Sequence, residues 1–68
     1  MNEMILTVYG KVYVFQDKSL KTLAKHAISI LMEVNDQHSL KAIKMLKINR
    51  FFFRIDPDAK ISCSITKL

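Results

Sequence analysis

Residues 4–16 read MILTVYGKVYVFQ, and the way this stretch divides decides the fold. It is rich in β-branched and aromatic side chains, which suit a pleated, half-buried surface. Read as one strand, it puts Leu6, Val8, Val12 and Val14 in phase. Read as two, it breaks at Gly10. A Gly10-Lys11 turn of type II′ would then close a hairpin, because glycine takes a positive φ at little steric cost. That hairpin puts Leu6, Val8, Tyr13 and Phe15 on one face. Strands in globular proteins average about 5–6 residues, so the hairpin is the expected reading.

Downstream, Asp17 or Ser19 offers a short side-chain oxygen to the free N–H groups of a first helical turn. Leu20, Leu23, Ala24, Ala27, Leu31 and Val34 then recur at the spacing of one buried helical stripe, widened by Ile28, Ile30 and Met32. The helix is expected to stop near Val34, with Asn35-Asp36-Gln37-His38 as a loop. Over residues 40–48, a helix separates Lys41, Lys44 and Lys47, spread over about 120°, from Ala42, Ile43, Met45 and Leu46. Ser39 is its expected N-cap.

Residues 50–56 (RFFFRID) read as a strand. Asp56-Pro57-Asp58-Ala59 reads as a type I turn, with proline's fixed φ at the second position. From Lys60 to Lys67 the pattern alternates, with Ile61, Cys63 and Ile65 on one face and Ser62 and Ser64 on the other. The expected order is β-β-α-α-β-β: two hairpins flanking a helix pair, with the helices packed on one face of a small antiparallel sheet. This is an α+β fold forming a single small domain over residues 1–68.

The chain has 68 residues, half of them apolar, with 11 Lys and Arg against 6 Asp and Glu, for a formal charge of +5. No apolar run approaches the roughly 18 residues of a membrane-spanning helix. Met1-Asn2-Glu3-Met4 has neither a basic segment nor a small-residue cleavage site, and the lone Cys63 cannot form an internal disulfide. These features point to a reducing cytosol, with Cys63 as a buried small hydrophobe. A chain this short has little core, and self-association is one common remedy, so a homodimer is expected.

The charge is uneven. Between Lys18 and Arg54, eight basic residues face only Glu33 and Asp36, whereas the rest of the chain has three basic and four acidic residues. Lys18, Lys21 and Lys25 share one side of the first helix, and Lys41, Lys44 and Lys47 one side of the second. Such faces can neutralise phosphates and release counterions, or simply keep the helices solvated. In Arg50-Phe51-Phe52-Phe53-Arg54, a strand turns Phe51, Phe53 and Ile55 inward and leaves Phe52 between two arginines. There Phe52 can stack on a base, anchor a protein contact, or lie under the arginine stems.

Catalytic constellations are not evident. His26 and His38 are twelve residues apart, and no His-x-x-x-His, Cys-x-x-Cys or paired-carboxylate spacing marks a metal or acid–base centre. Asp36 with His38 is the nearest approach to an acid–base pair. A lone glycine forms no phosphate loop, no GxxG of a KH domain and no RNP1 of an RRM.

The expectation is therefore a non-enzymatic binding protein with no cofactor, no metal and no evident small-molecule substrate. Its partner is acidic: nucleic acid or an acidic protein surface. The expected site is Lys18, Lys21, Lys25, Lys41, Lys44, Lys47, Arg50 and Arg54, with Phe52 for stacking or as an interface residue. The alternative is a protein–protein interaction module that regulates or inhibits a larger partner.

Overall fold

The computed structural model describes residues 1–55, 58 and 60–68. Its elements run β1 (Asn2–Val8), β2 (Lys11–Asp17), α1 (Leu20–Val34), α2 (Gln37–Lys47), β3 (Phe53–Ile55) and β4 (Ile61–Lys67). This is the expected β-β-α-α-β-β order. The four strands form one antiparallel sheet in the order β2-β1-β4-β3. The chain's first and last strands therefore pair at its centre, and Leu68 N–H donates to the Met1 carbonyl at 2.8 Å.

The hairpin reading of residues 4–16 holds, but its turn is Tyr9-Gly10, not Gly10-Lys11. Tyr9 has φ 49° and Gly10 φ 85°. Two positive φ values are the signature of type I′, whose twist matches that of the strands it joins. Leu6 consequently pairs with Tyr13 and Met4 with Phe15. The expected face survives the correction, because moving a two-residue turn by one position shifts the pairing by two residues, which preserves side-chain parity.

Ser19 is the N-cap of α1, its hydroxyl accepting from Thr22 N–H at 3.2 Å. Asp17 supports the same turn by accepting from Ser19 N–H at 2.8 Å. The helix ends at Asn35, whose left-handed backbone (φ 50°) reverses the chain. The second helix starts earlier than expected. Its N-cap is Asp36, and Ser39 lies at the third helical position of a capping box. Asp36 accepts from Ser39 N–H at 2.7 Å, while the Ser39 hydroxyl accepts from Asp36 N–H at 2.8 Å. The expected four-residue loop thus shrinks to Asn35-Asp36. At the far end of α2, Asn49 takes φ 60°. Asn49 N–H donates to Leu46 and Arg50 N–H to Met45. Those two bonds form a Schellman motif that satisfies the last helical carbonyls and turns the chain back toward the sheet.

The expected strand over residues 50–56 reduces to Phe53–Ile55. Phe53 and Ile55 are buried, and Phe51 packs against the core from a half-buried position. The Asp56–Ala59 turn lies mostly outside the described residues.

Both helices lie on one face of the sheet, α1 over β1 and β2, and α2 over β3 and β4. The core joins Met4, Leu6, Val8, Phe53, Ile55, Ile61 and Cys63 of the sheet to Leu23, Ala27, Leu31, Ala42, Ile43 and Leu46 of the helices. Among the described residues, no helix or strand covers the opposite face of the sheet. Ile5, Val12, Val14 and Phe52 are exposed.

Candidate basic and aromatic surfaces

The helical hairpin decides which lysines meet. Lys21 and Lys25 are one turn apart on α1, and i, i+4 side chains on a helix are neighbours. The α1–α2 connection is only two residues long, so the last turn of α2 lies beside the first turns of α1. Lys21, Lys25 and Lys47 thereby line one groove, floored by Ala24, Ile28 and Leu46 and closed by Asn49. Lys41 and Lys44 line a different concavity with Gln37 and Leu40 on the outside of α2. The spread of about 120° along Lys41, Lys44 and Lys47 is what sends the last of them between the helices. Lys18 precedes the Ser19 cap and is exposed.

Arg50, Phe52 and Arg54 are exposed, and Phe52 retains 71% of its accessible surface. Phe52 and Arg54 line a broad concavity of about 750 Å³ on the uncovered side of the sheet, with Ile5, Ser62 and Ser64. Strand pairing explains this grouping. Ile5 is opposite Val14 on one side and Ser64 on the other, while Ser62 is opposite Arg54. The expected site therefore divides. The helix lysines are on the covered side of the sheet, and Phe52 with Arg54 is on the uncovered side.

Asp36 has both carboxylate oxygens engaged by groups other than His38, whose charge only adds to the lowering of the Asp36 carboxyl. One carboxylate oxygen of Asp36 holds Ser39 N–H, and the other accepts the Tyr9 hydroxyl proton. These bonds, the Tyr9 one foremost, hold the Asp36 carboxyl below its ordinary range. The same bond to Asp36 raises the Tyr9 phenol. His26 stacks on Phe15 with ring centroids 5.4 Å apart, in line with the Phe15–Tyr13 pair at 6.4 Å. This aromatic row along β2 and α1 was not anticipated. Its sequence signal is faint: Tyr13 and Phe15 share a face in either hairpin register, but bringing His26 to them needs the placement of α1 over β2.

Cys63 is buried, and burial pushes its thiol up to about 12. Among the described residues, no group of three or more His, Cys, Asp or Glu side chains comes together. Among them also, no helix is long and apolar enough to cross a membrane.

No protein-family model matches this chain, and no curated protein or solved structure matches it. The functional reading rests on the surfaces themselves.

Proposed function

We propose that the protein is a non-enzymatic module that binds nucleic acid through the groove between its helices. The observation that carries this reading is the convergence of Lys21, Lys25 and Lys47 around that groove. Three lysines from two helices border a concavity of about 460 Å³ and give its rim positive charge. Loss of condensed counterions on binding would favour its occupation by a polyanion. Lys18 and Arg50, at the start of α1 and just beyond α2, would extend the positive surface. Lys44 and Lys47 also offset the negative end of the α2 dipole, which is the bland account of their position. That account does not extend to Lys21 and Lys25, near the other end of a helix, where solvation of the exposed face is the competing explanation.

The test is binding of labelled single- and double-stranded oligonucleotides at several salt concentrations. The parent is expected to bind with an affinity that falls steeply with salt, by a logarithmic slope of about 0.9 per phosphate contact on duplex DNA. The Lys21→Glu/Lys25→Glu/Lys47→Glu variant should lose binding and keep its circular dichroism spectrum. Equal loss in Lys41→Glu/Lys44→Glu would move the site to the outside of α2. Absence of binding even at low salt would remove the proposal.

A second reading has its own observation. Phe52, Ile5, Val12 and Val14 expose apolar surface on the uncovered sheet face, next to Ser62, Ser64 and the charged Arg54. This face suits a protein partner, as in an interaction module that regulates a larger protein. Such binding would be nearly independent of salt and would be lost in Phe52→Ser.

A further inference from the structure

The sheet has two edges, and they differ. The β3 edge is three residues long, whereas the β2 edge is seven. β2 reads KVYVFQD, with no proline and no charge in its interior, and it pairs with β1 without a bulge. Natural edge strands are usually blunted by shortness, bulges, proline or inward charge. β2 has none of these devices between its two terminal residues.

The direction of its free hydrogen-bonding groups follows from the register. A two-residue turn makes its flanking pair, Val8 and Lys11, the hydrogen-bonded one. The other side of β1 agrees, since Tyr9 N–H donates to the Lys60 carbonyl at 2.6 Å and Leu68 N–H to the carbonyl of Met1. Odd-numbered residues near β1 therefore bond toward β4 and even-numbered ones toward β2. On β2, Lys11, Tyr13, Phe15 and Asp17 use their backbone groups on β1. Val12, Val14 and Gln16 turn theirs outward.

We propose that a second copy of this chain pairs antiparallel along this edge, with the two-fold axis at Val14. Val14 then faces the partner's Val14, and Val12 faces the partner's Gln16, each as a hydrogen-bonded pair. Tyr13 faces the partner's Phe15 as a close, non-hydrogen-bonded pair on the helix side, where aromatic cross-strand contacts are favourable. Lys11 faces the partner's Asp17. Charge complementarity is what selects a second copy as the occupant. The strand starts on a base and ends on an acid, so an antiparallel copy matches both ends at once, and a slip of two residues either way loses both matches. Of the eight basic residues between Lys18 and Arg54 none lies on β2, and only Lys18 adjoins it in the chain. The product is a continuous eight-stranded sheet with both helix pairs on one side. It is independent of the nucleic-acid reading.

Sedimentation equilibrium from micromolar to millimolar concentration tests it. The expected parent mass is twice the 7.9 kDa of the chain. Val14→Pro removes an N–H that β1 does not use, so it should give a folded monomer by circular dichroism. Lys11→Asp, which sets like charges opposite at both ends, should also give a monomer even if the proline variant fails to fold. Lys11→Asp/Asp17→Lys should restore the dimer. In the parent dimer the Val12, Val14 and Gln16 amides should exchange slowly with solvent, and in the Lys11→Asp monomer quickly. A parent that keeps the single-chain mass throughout overturns the proposal. So does a dimer that survives Lys11→Asp, or one whose three amides exchange quickly, which would place the contact on another surface such as the uncovered sheet face.

Discussion

Asp36 joins three parts of the molecule. It caps α2, ends the two-residue helix junction, and receives the Tyr9 hydroxyl from the hairpin turn. Tyr9 itself has φ 49°, a conformation aromatic residues seldom adopt, and its bond to Asp36 helps to hold it there. The pH dependence follows from the direction of each shift. The Asp36 carboxyl is lowered in the folded state, so its contribution is complete above the ordinary carboxylate value of about 4 and is lost as pH falls through the lowered one. The Tyr9 phenol is raised, so its contribution is complete below about 10 and is lost as pH climbs through the raised value. Urea midpoints measured across pH should therefore decline on both limbs. Tyr9→Phe should flatten the alkaline decline and reduce the acid one, leaving the part due to Ser39. An acid limb unchanged by Tyr9→Phe would show that the bond contributes nothing. Asp36 was legible only as a loop residue, since Asn35-Asp36-Gln37-His38 is uniformly polar. The Asp36-x-x-Ser39 spacing is the sequence signal for the cap, but serine is itself a good N-cap residue, so the local sequence does not choose between the two.

At the scale of elements, side-chain parity was the most readable property. Alternation along residues 61–65 and 53–55 placed the correct residues inward, because a half-buried strand imposes a period of two whatever its partners are. The sharpest check is a neighbouring pair. Phe52 is 71% exposed and Phe53 only 8%. Phe52→Ser should change unfolding free energy by no more than about 0.5 kcal/mol, whereas Phe53→Ala should cost about 3–5 kcal/mol. Chemical denaturation of both variants measures the difference, and equal losses would mean that Phe52 is covered. Exact turn position was less readable than parity. Gly10 fits either turn position of a primed turn, and the type I′ solution also required Tyr9, a residue with no preference for positive φ. The lysine groove was least readable of all. It depends on how α1 and α2 lie side by side, which no pattern within either helix specifies.

For the whole molecule, the order of elements followed from local signals, but the order of strands in the sheet did not. All four strands turn alternate residues toward the helices, those of β2 only half-buried, and this periodicity does not tell central β1 and β4 from the edges β2 and β3. The one-sided layering has a consequence at Cys63. Its thiol is buried in the layer under the helices and pushed up to about 12 by that burial. The thiolate is the reactive form, so the native protein should react with a thiol reagent orders of magnitude more slowly than the urea-unfolded chain. Labelling should accelerate along the same urea curve as the loss of circular dichroism. Rapid labelling of the native state would show that the sheet opens locally there.

The pairing of the first strand with the last also governs how the molecule is made. Translation supplies β1 first and β4 last, so on the ribosome the hairpin of β1 and β2 waits while both helices and β3 are synthesised. During that interval the β4-facing edge of β1 has no strand beside it, and the inner side chains of the hairpin can be covered only from the helix side. Neither the centre of the sheet nor its β3 edge can pair until β4 is made, and the β1–β4 pairing brings residues 61–67 back to residues 2–8, a closure across most of the 68 residues.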